Sequence, residues 1–405
     1  MEEGNGESKE SQTGFNKYAC ICVIFASIIS LIYGYDVGVM GGAMIYMQED
    51  LKISDTQVGI LAGIINLCAL PGSLSAGRFA DYIGRRYTFV LASVIFFLGS
   101  ILMGYGPSYA ILMDWKVHCR HTSIPSLTLA IGMLKMPESP RWLVMQGRLG
   151  EANEVLLQVQ DKSRSGQGVW KELLWRPSPP VRWMLIAAIG LHFFQHTAGI
   201  EAVLLFSPRI LKKAGINNKS KLLLATVGIG ITKTVFILVA TYLLDKVGRR
   251  VLLLTSLGGM IVALTGLGFC LTMVEHSNET LYWVTSLSIS ATYIYMGFYS
   301  IGVGPVSWVY SSEIFPLRLR AQGFSICVAV SRFMNAAVSM SFILIYKAIT
   351  IGGIFFMFAG ISVVAGWFFY FFLPETKGRS LEEMETIFGK KSSSQNLEMP
   401  MKPAN

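Results

Sequence analysis

The chain has 405 residues, of which 52% are hydrophobic and only 15% are charged, and its mean hydropathy is +0.50. Soluble domains carry about 25% charged residues, so this chain has too few of them to cover a globule of its size. The composition predicts a multi-span membrane protein and excludes disordered, collagen-like and disulfide-scaffold chains. The net charge of +9 does not indicate nucleic-acid binding, because the basic residues punctuate apolar runs and form no stripe.

Ten apolar runs follow one another along the chain. Nine of them reach the ~20 helical residues needed to cross a bilayer core of ~30 Å. The fourth has thirteen residues and would span only about 20 Å as a helix. The runs lie at 18–46, 57–76, 87–105, 124–136, 183–207, 222–244, 251–274, 281–310, 321–346 and 351–373.

Lysine and arginine counts predict the orientation of these runs. If the amino terminus is inside, the inner segments hold 22 of the 34 basic residues and the outer segments hold 7. We therefore expect a multi-pass protein with both termini cytoplasmic. The expected organisation is an N-terminal tail, a shortened helix bundle, a central loop, a six-helix bundle and a C-terminal tail, at 1–17, 18–136, 137–181, 182–373 and 374–405.

Two loop signatures occur twice, which indicates an internal repeat. G-R-F-A-D-Y-I-G-R-R at 77–86 is echoed by D-K-V-G-R-R at 245–250, and P-E-S at 137–139 is echoed by P-E-T at 374–376. Glycine permits a tight turn, arginines can pair with carboxylates at helix ends, and the aspartate can cap the next helix. Two unrelated positive-inside anchors are the alternative, but the order and topology repeat as well.

The two copies of the repeat differ in length. The segment from Asp245 to Pro374 encloses four apolar runs, whereas the segment from Asp81 to Pro137 encloses one full run and one short run. Because one span takes ~20 residues, the shorter segment lacks the length of about two helices with their loops. We expect these two helices to be missing from the first half.

The expected junction is D-W-K-V-H-C-R-H-T-S at 114–123, which is polar where a membrane span should be apolar. His118, Cys119 and His121 could suggest a metal site, but their spacing matches no closed ligand set. We interpret this segment as the product of splicing or of a gene model. The other five cysteines lie in apolar runs and are expected to be small packing residues.

These features together resemble the sugar porter family of the major facilitator superfamily, and most closely its plant polyol and monosaccharide proton symporters. The motifs concerned are the two D-x-x-G-R-R loops, P-E-S-P-R-W at 137–142, S-E-I-F-P-L-R-L-R at 312–320 and P-E-T-K-G at 374–378. The resemblance covers most of 17–113 and 124–390. It implies an all-α membrane protein with the major facilitator fold, in which two pseudo-repeated bundles contribute about ten spans instead of twelve.

The resemblance also implies functional residues. Asp36 matches the aspartate that takes the coupling proton, but the helix that carries its arginine partner falls in the expected gap. His196 and Glu201 replace a family glutamine and an asparagine or aspartate, so the substrate preference stays open. The implied substrate-binding residues are Gln195, His196, Glu201, Trp308 and Asn335. The implied conformational loop residues are Gly77, Asp81, Gly84, Arg85, Arg86, Asp245, Gly248, Arg249, Arg250, Glu313, Arg320, Glu138, Arg141 and Glu375.

The residues themselves also point to a site within the membrane, where ionisable side chains are costly and are functional hypotheses by default. Asp36, Lys233 and Arg332 lie near the middles of their runs, and Glu201 lies deep in the run 183–207. Structural ion pairs are the alternative interpretation, because Lys233 could simply neutralise a carboxylate.

A polar stripe runs along 183–207, because His192, Gln195, His196 and Gly199 recur at helical spacing. Amide, imidazole and carboxylate groups match the hydroxyls of a sugar or sugar alcohol. Helix breaks are expected at Gly199 and at Gly302, Gly304 and Pro305. The two broken runs begin the two three-helix repeats of the second half, which is typical of a transporter binding site at the bilayer midplane.

The leading hypothesis is proton-coupled symport of polyols or monosaccharides by alternating access. A channel fits paired helix breaks less well, a membrane enzyme would need a reactive constellation that does not appear, and a seven-span receptor would lack the repeat. The main alternative is a transport-incompetent truncated isoform or gene-model product of the same family. We expect a monomer in the plasma membrane with no cofactor or metal, no nucleic-acid partner and the proton gradient as its energy source.

Overall fold

The computed structural model describes residues 54–104, 178–216, 218–276, 282–316 and 319–378. These ranges contain ten α-helices and no strand. Two of the ten apolar runs, the 114–123 junction, Asp36, Glu138 and Arg141 lie outside the described residues. The helices are α1 (Asp55–Tyr82), α2 (Arg85–Gly104), α3 (Pro179–Thr197), α4 (Ile200–Lys213), α5 (Lys219–Val247), α6 (Arg249–His276), α7 (Tyr282–Ile301), α8 (Val303–Ile314), α9 (Arg320–Ile349) and α10 (Ile351–Phe372).

Six helical stretches of the described residues are long and apolar enough to cross a membrane. A shorter apolar stretch, Arg86–Leu98, belongs to α2. The pair α7–α8 covers the apolar run 281–310 and carries many hydroxyl side chains, which lowers its hydropathy. The six stretches are Asp55–Ala76, Pro179–Lys213, Ser220–Val247, Arg249–His276, Gln322–Ile349 and Ile351–Phe372.

The described residues belong to two compact units. The first unit contributes only Phe89–Gly104, the greater part of α2, in which Ile95 and Leu98 are exposed and the Ser93 hydroxyl donates to the Phe89 carbonyl. The second unit contributes residues 54–88 and 178–378 and contains every contact discussed below.

Apolar side chains cover the outside of the second unit, as a hydrocarbon solvent requires. On α5, Leu224, Ile231 and Leu238 follow one another at seven-residue intervals on one face and are 72%, 60% and 66% exposed. Polar side chains such as His192 and Gln195 are buried instead. This distribution reverses that of a water-soluble protein and agrees with the prediction from composition.

Two helices of the second unit are broken where the sequence predicts it. Gly199 separates α3 from α4 with φ of 90°, a left-handed conformation that favours glycine. A Cβ at this position would lie 2.5 Å from the Phe358 ring, so the close packing also requires glycine. Gly302 separates α7 from α8. Gly304 and Pro305 follow in the first turn of α8, where proline is tolerated and has no N–H to continue the hydrogen bonding of α7.

Helices α1 and α9 form a close antiparallel pair. Ideal Cβ atoms built at Gly59 and Gly63 would lie 3.1 Å from the Met340 carbonyl oxygen and 2.9 Å from the Ala336 carbonyl oxygen. At the same end of the pair, the Asp55 carboxylate lies 2.9 Å from the Lys347 ammonium. The glycines let the two backbones approach, which places side chains further along α1 against α9.

Candidate functional site

The polar stripe of α3 faces the interior of the second unit. Its three polar side chains are those of His192, Gln195 and His196, and their exposed fractions are 0%, 1% and 4%. His192 Nε2 is 2.9 Å from the Ser311 hydroxyl of α8, and His196 Nε2 is 2.7 Å from the Ser331 hydroxyl of α9. The stripe therefore joins α3 to two other helices through buried hydrogen bonds.

Although His192 lies within hydrogen-bonding reach of its side chain, Gln195 makes well-aligned hydrogen bonds among the described residues through only one end of its amide. Its Nε2 donates to the Tyr299 hydroxyl at 3.2 Å and to the Gly304 carbonyl oxygen at 3.3 Å. Its Oε1 is buried and has no hydrogen-bond partner among the described residues. A buried amide oxygen without a partner is costly, so this atom is a candidate acceptor for a ligand hydroxyl.

The Glu201 carboxylate lies in the first turn of α4, directly after the break at Gly199, and its side chain is 20% exposed. His196 Nδ1 is 3.9 Å away, and Lys233 of α5 and Arg332 of α9 are close enough to interact with the carboxylate electrostatically. The Asn335 side chain of α9 is also within hydrogen-bonding reach. The predicted residues Glu201, Asn335, Lys233 and Arg332 therefore form one cluster.

Trp308 provides an aromatic ring beside the stripe. Its ring lies 4.9 Å from the His192 ring in an edge-to-face arrangement and 6.0 Å from the Phe324 ring. Trp308 is half-buried. Its position beside His192 leaves part of an apolar ring face available for stacking on a carbohydrate.

Two tyrosines beside the stripe form hydrogen bonds within the protein. The Tyr295 hydroxyl is buried and donates to the Ala198 carbonyl oxygen at 3.0 Å, which satisfies the end of α3. Tyr299 accepts from Gln195. Both tyrosines hold the broken helices in place.

Asn66 of α1 was not singled out by sequence reasoning. Its Nδ2 donates to the Asn335 Oδ1 at 3.1 Å, and its Oδ1 accepts from the Arg332 guanidinium at 3.2 Å. The available signal was an amide in the middle of an otherwise apolar run, I-I-N-L-C at 64–68. Asn66 extends the cluster around Glu201 to the first half of the sequence.

A second cluster lies at the ends of the helices and contains the repeated loop residues. The Arg249 guanidinium donates to the Glu313 carboxylate at 2.8 Å and lies 3.5 Å from the Asp245 carboxylate. The Thr376 hydroxyl donates to the other Glu313 oxygen at 2.9 Å. The loop between α5 and α6 is thus connected to the end of α8 and to the segment after α10.

Glu375 caps the start of α6, a role that the sequence assigned to the aspartate of the loop. Its two carboxylate oxygens accept from the backbone N–H groups of Arg249 and Arg250, both at 2.9 Å. Gly248 has φ of 103°, and a Cβ there would lie 3.0 Å from Glu375 Oε2. Asp245 precedes the turn and pairs with a side chain, so the expectation that it caps α6 is wrong.

The corresponding loop of the first half joins α1 to α2. Gly77 and Asp81 lie in the last part of α1, and Gly84 has φ of 100° immediately before Arg85 and Arg86 begin α2. Both copies therefore place a left-handed glycine before two arginines at a helix start. Arg320 is the first residue of α9.

Glu375 leads to a prediction for stability against pH. Burial raises the pKa of its carboxyl group, but the N–H donors of Lys377, Arg249, Arg250 and Thr376 outweigh burial, and the net pKa lies below its usual value. A depressed folded-state pKa stabilises the protein above the unfolded pKa of about 4.3, and this stabilisation is lost as the pH falls through the folded value. We expect Glu375→Gln to cost about 1 kcal/mol at pH 7, after allowance for solvent screening, and much less at pH 3.

The measurement is the difference in melting temperature between Glu375→Gln and the unmodified protein in detergent, from pH 3 to pH 7. Glu275→Gln, at the exposed opposite end of α6, is the matched control. A difference that does not change with pH would contradict this account of Glu375.

Two family profiles match the sequence. The family described as "Sugar (and other) transporter" matches residues 108–388, and "Major Facilitator Superfamily" matches residues 26–114. The first match alone covers more than half of the chain.

Curated relatives and solved structures give consistent matches. "Probable polyol transporter 6" of Arabidopsis thaliana is 50% identical over 474 aligned positions, which cover 94% of this chain and 96% of the relative. "Polyol transporter 5" of the same plant is 45% identical, with 92% and 86% covered. The proton:xylose symporter XylE, bound to 6-bromo-6-deoxy-D-glucose, has a TM-score of 0.74 at 20% identity and covers 92% of this chain and 100% of its own.

The alignment with the first of these relatives is longer than the chain itself, 474 positions against 405 residues. The alignment therefore contains gaps in this chain, and at those positions the relative has residues that this chain lacks. They are numerous enough for about two membrane helices with their loops. The internal repeat of the sequence falls short by a similar length.

Proposed function

Because the chain belongs to the sugar transporter family of the major facilitator superfamily, we propose that it carries a monosaccharide or a sugar alcohol across the membrane together with protons. The names of its relatives support polyols as the substrate class, and the proton:xylose symporter supports coupling to protons. Its family consists of membrane transporters and not of enzymes.

Two buried hydrogen-bonding groups carry the substrate proposal. One is an amide oxygen that makes no well-aligned hydrogen bond among the described residues, and the other is an amide N–H group whose direction is fixed by the protein. Gln195 offers a buried Oε1, because its Nε2 is used by Tyr299 and Gly304. Asn335 offers its Nδ2, because its Oδ1 is used by Asn66 and Ser339; one of the two N–H donors lies within reach of the Glu201 carboxylate, and the other is proposed to donate to the ligand. A hydroxyl group donates one hydrogen bond and accepts others, so a polyhydroxyl ligand suits both atoms.

Neighbouring groups supply further contacts of the same kind. Glu201 accepts from hydroxyls and Trp308 stacks on the apolar face of a sugar ring or an alditol chain. His196 keeps its Nε2 on Ser331, so its ligand-facing atom is Nδ1, which is buried and makes no hydrogen bond within the described part of the chain. We assign substrate binding to Gln195, His196, Glu201, Trp308 and Asn335.

Alternating access accounts for the two broken helices and for the loop clusters. The breaks at Gly199 and Gly302 stand at matching positions of the two repeats, beside the proposed site. We propose that Arg249, Glu313 and Glu375 connect the helix ends, and that this contact forms and separates during the transport cycle. The same role is assigned to Arg86 and its neighbours in the first-half loop. The proposed setting is a monomer in the plasma membrane with both termini in the cytoplasm.

Purified protein in liposomes tests this function. With an inward proton gradient we expect accumulation of at least one of sorbitol, mannitol, myo-inositol, xylose or glucose, and we expect a proton ionophore to abolish it. Asp36→Asn should abolish uphill uptake but preserve exchange of labelled for unlabelled substrate, because a residue that cannot titrate cannot carry the proton.

Glu275→Gln is the control for this test, since it removes an exposed carboxylate at the end of α6 and not one from the middle of a span. Accumulation against a gradient by Asp36→Asn would contradict the assignment of the proton to Asp36. Lack of binding of every compound in the panel would contradict the proposed substrate class.

A further inference from the structure

We infer that Asn66 is a positioning residue of the substrate site: it fixes the side-chain amide of Asn335 so that Asn335 presents a hydrogen-bond donor to the ligand. This inference rests on the proposed function and names a residue of the first half that shapes the site of the second. Asn66 itself is not required to touch the substrate.

Both ends of the Asn66 amide are engaged. Nδ2 donates to Asn335 Oδ1 at 3.1 Å and Oδ1 accepts from Arg332 Nη1 at 3.2 Å. Because Arg332 can only donate, the Asn66 carbonyl oxygen must point towards it and the Asn66 NH2 group must point towards Asn335. The guanidinium therefore determines which way the Asn66 amide is turned.

The orientation of Asn66 then determines that of Asn335. Asn335 is 2% exposed, and its Oδ1 accepts from Asn66 and also from the Ser339 hydroxyl at 3.3 Å. A carbonyl oxygen has two lone pairs, so this atom has no capacity left for a ligand. The NH2 group is the remaining hydrogen-bonding end of the side chain, and it lies on the side of the Glu201 carboxylate.

Turning the Asn335 amide over would place its NH2 group against the NH2 group of Asn66, whereas the Ser339 hydroxyl could rotate and accept. Two donors would then oppose each other in a buried space, and the hydrogen bond between the two asparagines would be lost. Arg332, Asn66 and Asn335 thus form a chain in which each group sets the direction of the next. The Asn335 donor and the Gln195 acceptor together make the site selective for hydroxyl groups.

Close packing of the α1 and α9 backbones keeps the hydrogen-bonded side chains of Arg332, Asn66 and Asn335 at a fixed distance from one another. Gly59 and Gly63 precede Asn66 on α1, and a Cβ at Gly63 would meet the Ala336 carbonyl oxygen of α9 at 2.9 Å. Asn66 therefore lies on a part of α1 that is pressed against α9 next to Asn335. A longer or more flexible contact would not fix an amide orientation as well.

The test is Asn66→Asp, which keeps the size of the side chain and the acceptor for Arg332, removes the donor to Asn335 and adds a negative charge beside Arg332. We expect the dissociation constant for the best-binding compound among sorbitol, mannitol, myo-inositol, xylose and glucose to rise about tenfold in calorimetry. In an Asn335→Leu background, Asn66→Asp should change the dissociation constant by less than twofold, since the amide on which it acts is gone.

Asp55→Asn is the control, because it weakens the same pair of helices at Lys347 and the contact with Arg209 of α4 but lies away from Asn335. We expect Asp55→Asn to lower the melting temperature and to leave the dissociation constant unchanged. Equal losses of affinity in Asp55→Asn and Asn66→Asp would assign the effect to helix packing and would overturn the inference. Unchanged affinity in a folded Asn66→Asp variant, or losses that multiply with Asn335→Leu, would overturn it as well.

The contact between the two asparagines is tested separately by melting temperatures, which require no ligand. The losses caused by Asn66→Asp and Asn335→Leu should be clearly less than additive when the two changes are combined. Additive losses would overturn the inference whatever the substrate is. A further outcome is that the unmodified protein binds none of the compounds while the losses of melting temperature are less than additive. In that case the proposed substrate class is wrong, and the positioning of Asn335 by Asn66 is supported.

Discussion

Gln195→Leu is expected to weaken binding of a sugar or sugar alcohol by about tenfold to a hundredfold. The leucine keeps about the same side-chain volume and removes the acceptor Oε1, which is buried and makes no hydrogen bond with the described residues; it also removes the Nε2 donor to Tyr299 and Gly304. A ligand hydroxyl that loses its acceptor in a desolvated site forfeits ~1–3 kcal/mol, and 1.4 kcal/mol corresponds to a factor of ten. The measurement is the dissociation constant in detergent by calorimetry.

Thr197→Ala is the matched control for Gln195. Thr197 is two residues further along α3, and its hydroxyl donates to the Phe193 carbonyl oxygen of the same helix at 2.6 Å. Its removal therefore deletes a polar group without changing contacts with α7 or α8. Trp308→Ala and Asn335→Ala should weaken binding in the same way as Gln195→Leu. If Gln195→Leu leaves the affinity unchanged while Thr197→Ala reduces it, the proposed role of Gln195 is refuted.

Restoring the residues that the first half lacks is expected to raise proton-driven uptake at least tenfold. The comparison is between this chain and one in which residues 114–123 are replaced by the corresponding segment of the Arabidopsis relative that is 50% identical. Alternating access moves one helix bundle against another around a central site, and a bundle without two helices loses packing partners and the arginine expected beside Asp36.

The junction at 114–123 gives a second reason to expect less uptake by this chain than by the restored one. Asp114, Lys116 and Arg120 stand where a membrane span is expected. Each charge costs ~2.5–3.5 kcal/mol at the bilayer centre on insertion scales, so this segment is a poor span. A chain that fails to insert it would have to invert the second half against its lysine and arginine bias.

Uptake should be measured per molecule of folded protein, and the restored chain with Asp36→Asn should show no accumulation. Equal proton-driven uptake by the short and the restored chains would show that the gap does not disable transport. Equal binding but unequal uptake is the expected outcome, because the proposed substrate-binding residues, 195–335, all lie after the junction.

Much of the fold could be predicted because it depends on local properties of the chain. Hydropathy and length located the membrane helices, since a hydrocarbon core accepts only long apolar helices. Gly199 could be identified as a break because glycine adopts the left-handed conformation that other residues avoid. At Gly302, where φ is −121°, a Cβ would meet the Ser256 side chain, so packing is what requires glycine. Helical periodicity placed His192, Gln195 and His196 on one face before any partner was known.

Periodicity could not say which side chains meet that face. Asn66 and Asn335 are 269 residues apart and Arg249 and Glu375 are 126 apart, and their contacts exist only because particular helices pack together. The sequence placed a cap for α6 on the nearest aspartate, whereas packing brings the distant Glu375 to that helix end. Residue spacing thus determined the helices, their breaks and the stripe of α3. Tertiary packing decided which end of the Gln195 and Asn335 amides is left for a ligand, because hydrogen-bond partners are set by neighbours in space.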